Sequence, residues 1–263
     1  MDLKRDSLSF TRLVDAIEWL YFVSLVRFMR YLLSLLTLLC CNPLLADEAA
    51  ETQLMLGWDS HYVSEGRDNL SAGGIAWSGI HHSRDGLGAF VLFGRADSVN
   101  YAELNAGVEY CFNPLESVEA GVGMQRLEFY GDERGHDNEV YAYLAYQGLS
   151  WLTPSINYTY ATEASGYFVE LSLHSHWQVN EQLTLTPYVT QGFDFGYASQ
   201  THDGPNHLQF GVEACYSLTP SLVASLHLSH SIAQDDIKQQ AQEEDWHGDL
   251  AQSYAGLHLE WQF

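Results

Sequence analysis

Lysine and arginine are the scarce residues of this chain. Eleven of them stand against 34 Asp and Glu, for a formal net charge of -23. Those that follow Ala46 are Arg67, Arg84, Arg95, Arg126, Arg134 and Lys238. A surface so short of positive charge excludes nucleic acid, whose phosphates need a basic face, and argues against a soluble binder of anions. Divalent cations or cationic solutes suit such a field. After Ala46 there is also no apolar run approaching the roughly 20 residues of a membrane helix, and no segment there carries a helical period. Neither a Gly-x-Ser-x-Gly elbow nor a phosphate-binding glycine loop sits in a strand–helix context. No catalytic set, cofactor or metal site is expected.

What is present begins with an export signal. Met29 opens a stretch with Arg30, an apolar run from Tyr31 to Cys41, then Asn42-Pro43 and Ala46. Positive charge, apolar run and small residue is the order of a cleaved secretory peptide. Residues 1–46 therefore read as an upstream extension plus signal peptide, spanning Met29 to Ala46, and 47–263 as the exported domain. An uncleaved anchor over 17–41 is the alternative, interrupted by Arg27 and Arg30. A lipoprotein reading through Cys40 or Cys41 is disfavoured by Leu39.

The exported part alternates. Ala255, Leu257, Leu259, Trp261 and Phe263 share one parity; Tyr254, His258, Glu260 and Gln262 hold the other. Period two means a strand with one apolar and one polar face. Twelve such segments are expected, near 53–63, 70–81, 87–96, 99–112, 116–129, 138–148, 154–162, 166–178, 182–195, 206–217, 221–232 and 251–263. Short connections at 82–86, 111–117, 148–155, 178–184 and 216–222 alternate with polar ones at 63–71, 130–139, 196–207 and 232–252. Short periplasmic turns against longer outer loops mark a membrane barrel. The expected fold is all-β: a transmembrane, antiparallel, up-and-down β-barrel of about twelve strands. A soluble sandwich also alternates, but it accounts for neither the two loop classes nor an apolar terminal strand.

The terminal strand ending in Phe263 resembles the C-terminal signal of bacterial outer-membrane barrels. That resemblance implies the outer membrane of a Gram-negative cell, with outer-membrane lipid, lipopolysaccharide and the barrel-assembly machinery as partners. Ser60, Tyr62 and Gly66, within LGWDSHYVSEGRDNLSAGG, resemble the first hairpin of a proteobacterial outer-membrane family (Gcw-chp type). In that family a Ser-Asp-Tyr-x-x-Arg-Gly string occupies these positions; here His61 replaces the Asp and Glu65 the Arg. The family implies a barrel without implying a substrate.

Parity then assigns faces. A membrane girdle at the periplasmic side is expected from Tyr110, Phe112, Tyr146, Trp177, Tyr216 and Trp261. An upper one is expected from Tyr62, Tyr130, Tyr160, Tyr167, Phe193 and Phe195. Expected lumen-lining residues are Glu103, Glu109, Glu170, Asp194, Glu213, His174, His176 and Glu260, with Glu119, His227 and His258 also inward. An acidic lining inside a low-dielectric wall favours cations. His174 and His176 share a face, but nothing in the sequence supplies further ligands. His227-x-Ser229 resembles the pair of lipid A deacylases, although its parity points into the lumen rather than to lipid.

Acidic outer loops hold Asp132, Glu133, Asp137, Glu139, Asp235, Asp236, Glu243, Glu244, Asp245 and Asp249, where divalent cations could gather loosely. Cys111 and Cys215 fall on opposite walls, on the order of 20–25 Å apart, so two free thiols are expected rather than a disulfide. The first functional expectation is a narrow porin-like transport barrel with cation preference. The others are a closed structural or surface-interaction barrel that uses its acidic loops, and then an outer-membrane lipid hydrolase. Whether the lumen is open is left undecided by twelve strands.

Overall fold

The computed structural model describes residues 50–132, 134–200, 202–246 and 248–263. The extension and signal segment expected over 1–46 lie outside them. In chain order the elements begin with β1 (Ala50–Asp59), the short pair β2 (Val63–Ser64) and β3 (Arg67–Asp68), β4 (Ile75–Arg84) and β5 (Leu87–Ala96). They continue with β6 (Tyr101–Leu115), β7 (Val118–Gly131), β8 (Gly135–Tyr146), β9 (Leu152–Ala161), β10 (Gly166–Ser175) and β11 (Trp177–Gln178). β12 (Leu183–Phe195), β13 (Asp203–Thr219), β14 (Leu222–Ala233), α1 (Asp235–Glu243) and β15 (Gln252–Gln262) complete the chain.

Twelve of these strands make one closed antiparallel barrel. Each pairs with its sequence neighbour, β10 reaches across two-residue β11 to β12, and β1 pairs with β15. That last seam runs from Gln53 opposite Gln262 to Asp59 opposite Gly256. The Thr52 N–H donates to the Phe263 carbonyl at 3.1 Å, and the Phe263 N–H to the Thr52 carbonyl at 2.9 Å. Phe263 thus satisfies main-chain groups that would otherwise be left open at a sheet edge. Closure leaves no open sheet edge.

Alternation sorts the side chains as a membrane barrel requires. Leu56, Val122, Leu144, Leu171, Leu226 and Leu257 are exposed on the outside, while Glu, His, Ser, Thr and Tyr take the inward positions. Tight turns join strands at the end where β1 begins and β15 finishes. At Asp85-Gly86 both residues have positive φ, 52° and 81°, the two-residue hairpin geometry that matches strand twist. Longer connections crowd the opposite end, called the loop end below.

Two expectations about that end are corrected. β1 stops at Asp59 and β4 starts only at Ile75, so the first strand does not reach 63 and the second does not begin at 70. The chain between folds as a separate hairpin. The absence of helix after Ala46 is also overturned: α1 is a nine-residue helix in the 232–252 loop. Its apolar signal is Ile237 and Ala241, an i, i+4 pair buried against the barrel, too short a repeat to stand out. Asp235 and Asp236 in its first turn suit the positive end of the helix dipole. The small apolar core lies at this same end: Leu70, Ile75 and Ala96, with Tyr62, Trp77, Val99 and Tyr101 packed around them.

Candidate functional site

The interior of the barrel is the candidate site. A cavity of about 610 Å³ is lined by Asp59, Glu170, His174, Glu213, His227, His258 and Glu260, and Glu213 stands directly opposite His227 across the β13–β14 ladder. Glu260 accepts from Gln53 Nε2 at 2.8 Å. Glu213 accepts from the Cys215 thiol at 3.3 Å. The His174 ring stacks on Tyr188 with centroids 5.4 Å apart. Glu109 lines a second cavity of about 370 Å³, takes a hydrogen bond from Tyr141 Oη at 3.1 Å, and has His81 Nε2 3.0 Å away. Glu119 accepts from Tyr143 Oη at 3.0 Å. His176 stands at the terminal rim, with Nε2 3.1 Å from Thr153 Oγ1.

Two of the expected lining carboxylates are fully buried. Glu103 is held by the Tyr101 hydroxyl and, at 2.8 Å, by Asn105 Nδ2. Asp194 accepts the backbone N–H groups of Tyr197 at 2.7 Å, Ala198 at 3.0 Å and Ser199 at 3.0 Å, closing the loop after β12. Burial without those donors would cost several kcal/mol per charge, which is why both sit in donor nests rather than on open lumen.

The loop end is capped from within. Glu65 and Gly66 both have positive φ, 46° and 74°, and turn β2 into β3 as a two-residue hairpin. The hairpin reaches across the mouth. Tyr62 borders the main cavity, and with Glu65 it borders a further one of about 430 Å³ whose far wall includes Gln125, Glu139 and Tyr197. At Gly66 a Cβ would lie 2.5 Å from His207 Cβ, so only glycine permits this approach. Burial, reinforced by the negative charges of Glu170 and Glu139, pushes the Glu65 carboxyl from 4.5 up to about 7, against opposing contributions from Ser64 and Arg67.

Arg67 ties the cap down. Its Nη2 lies 2.7 Å from Asp236 Oδ2 and 3.9 Å from Asp194 Oδ2. Its Nε donates to Gln240 Oε1 at 2.9 Å and its Nη1 to the Glu65 carbonyl at 3.1 Å. Asn206 Nδ2 also donates to Asp236 Oδ2 at 2.7 Å. One guanidinium therefore joins the first loop, α1 and the end of β12. The sequence reading missed this function of Arg67 and Glu65; the Glu65-Gly66 turn between Val63-Ser64 and Arg67-Asp68 was the available signal.

The remaining candidates fall as follows. Tyr110, Phe112, Tyr146, Trp177, Tyr216 and Trp261 are exposed on the exterior, as are Tyr130 and Tyr167. Tyr167 stacks on Phe195 at 4.7 Å and on Tyr158 at 5.5 Å. Tyr62 is corrected: it is inside, edge-on to Trp77 at 5.3 Å, because it belongs to the inward loop and no strand parity governs it. Ser229 is buried, with Oγ 2.7 Å from the Tyr188 hydroxyl. Cys111 and Cys215 are free thiols. Of the acids expected in outer loops, Asp137 and Glu139 are corrected onto β8, which starts at Gly135, and Glu133 lies outside the described residues. Glu139 and Asp236 are buried, and Asp137 takes the Glu163 N–H at 3.0 Å. Asp235, Glu243, Glu244 and Asp249 remain exposed.

No protein-family model and no curated protein sequence matches the chain. Solved structures do. The KdgM porin in complex with disordered oligogalacturonate superposes with a TM-score of 0.55 at 9% identity, covering 81% of this chain and 99% of that one. The NanC porin gives a TM-score of 0.50 at 11% identity, covering 80% and 98%. The chain is similar to these outer-membrane porins in fold.

Proposed function

We propose that the protein is a narrow porin-like transport barrel of the Gram-negative outer membrane, passing small solutes with a preference for cations. One observation carries the reading. Inward positions hold Glu109, Glu119, Glu170, Glu213 and Glu260, while the arginines of the barrel strands, Arg84, Arg95 and Arg126, fall on the outward parity. Carboxylates accompanied by histidines but by no inward arginine of the barrel strands, inside an apolar wall, lower the energy of a cation there and raise that of an anion. The oligogalacturonate in the KdgM complex is an anion, so architecture is what carries over from that porin, and not cargo.

Export through the segment Met29 to Ala46, folding by the barrel-assembly machinery, and divalent ions bridging the acidic loops to lipopolysaccharide belong to the same proposal. The capped mouth favours a second reading, a closed barrel that works through its outer surface. Reversal potentials across a planar bilayer under a salt gradient separate the two. The purified protein should give a cation-selective potential that moves toward zero in Glu170→Gln/Glu213→Gln. An anion-selective potential would overturn the preference.

A further inference from the structure

Three inward side chains from three adjacent strands converge on one point of the cavity wall. Asp59 ends β1, His258 lies on β15 and His227 on β14. Asp59 and His227 both stand opposite Gly256 in their registers, so the two flank it from either side. Asp59 Oδ1 is 2.8 Å from His258 Nε2 and 3.5 Å from His227 Nε2, and one donor atom from each residue lies within 4.8 Å of the others. We propose that Asp59, His227 and His258 bind a divalent transition-metal ion of the zinc, cobalt or nickel class.

Four observations support the assignment. The spacing suits an ion: bonds of about 2.0–2.2 Å to imidazole nitrogen and carboxylate oxygen place tetrahedral donors roughly 3.3 Å apart, a value bracketed by the two Asp59–histidine separations, with the third pair within 4.8 Å. His227 Nε2 is shielded from solvent and has no hydrogen-bond partner among the described residues, so a ring nitrogen aimed at the cluster is left to be satisfied. Asp59 is oriented from behind, since Trp77 Nε1 donates to its Oδ2 at 2.8 Å and leaves Oδ1 for the cluster, the outer-shell arrangement that metal carboxylates use. Finally, the room exists only because residue 256 is glycine: a Cβ there would lie 1.9 Å from Asp59 Oδ1 and 2.3 Å from His227 Cε1.

Two imidazoles and one carboxylate select borderline ions over calcium and magnesium, which prefer all-oxygen shells. All three residues line the 610 Å³ cavity. His174 and His176, the pair singled out by sequence, take no part. The inference does not depend on conduction, because a closed barrel with this wall binds the ion equally well.

The test is calorimetric titration of Zn²⁺ into the chelator-treated protein in detergent, with Co²⁺ absorption as a second reading. One ion per barrel is expected, undisturbed by millimolar Ca²⁺. His227→Ala and His258→Ala should each weaken binding roughly 100-fold, whereas Glu243→Gln/Asp249→Asn in the outer loop should leave it unchanged. Gly256→Ala keeps every ligand and should still weaken binding by about tenfold or more, by filling the space between them. Co²⁺ on the unaltered protein should show the intense visible band of low-coordinate imidazole ligation, a reading that needs no variant to fold. No Zn²⁺ uptake, uptake that survives loss of both histidines, or a Co²⁺ spectrum like that of the aqueous ion would each overturn the site.

Discussion

The barrel wall and the cap at its loop end are built on opposite principles. The wall is held by main-chain ladders that any period-two sequence of the right polarity can make, and its side chains mainly match their surroundings. The cap is held by a few named side chains: Arg67 on Asp236 and Gln240, and Tyr62 on Trp77. Redundant bonds make the wall tolerant of substitution and permanent in shape. Sparse, charged and partly buried bonds make the cap breakable. If the lumen admits a solute, as proposed, the cap is the part that few broken interactions would release.

The largest expected effect comes from breaking the cap at its hub. Arg67→Ala leaves Asp236 and Asp194, both fully buried, without their cation. Removing one partner of a buried pair costs on the order of 3–5 kcal/mol. Hydrogen exchange should accelerate across 60–74 and 235–243 and stay slow in the strands. Uniform acceleration would mean that cap and wall are one cooperative unit.

The wall should yield only to a change of polarity class. Leu226→Arg places a charge on the exposed outer face, where arginine near mid-bilayer costs about 2–4 kcal/mol. Urea unfolding from lipid vesicles reads that loss. An unchanged midpoint would contradict the outward, lipid-facing assignment of β14.

A smaller, pH-dependent effect should appear at Glu65. Its carboxyl rises from 4.5 to about 7 when the cap is docked, so the docked state holds the proton more tightly than the free loop. Docking is then strongest below about pH 4.5 and weakens as pH rises toward 7. Exchange of 60–74 should quicken over that window, and Glu65→Gln should flatten the dependence. A profile that persists in Glu65→Gln assigns it to another group. The smallest change expected is Tyr110→Leu on the exterior, which loses the ring pair with Phe112 at 5.7 Å. That pair is worth about 0.5–1.5 kcal/mol by unfolding.

The same division decides what was legible in the sequence. Strand number, the closing seam through Phe263 and the free thiols on opposite walls all follow from period two and a closed cylinder, and the residues alone sufficed. The cap did not follow. Tyr62 breaks parity because β1 ends at Asp59, α1 is too short to show its period, and the link between Arg67 and Asp236 spans 169 residues. The trio Asp59, His227 and His258 needs the register of three strands; no local spacing brings Asp59 to the two histidines. Burial of Glu103 and Asp194 likewise depends on partners that parity cannot name.

The most direct measurement is single-channel conductance of the purified protein and of Arg67→Ala, side by side in the same salt gradient. The account predicts cation-selective current in both, with larger or longer openings once the cap is released. Correctly folded barrels that carry no current in either form would contradict it, and the lumen would then be a packed interior rather than a path.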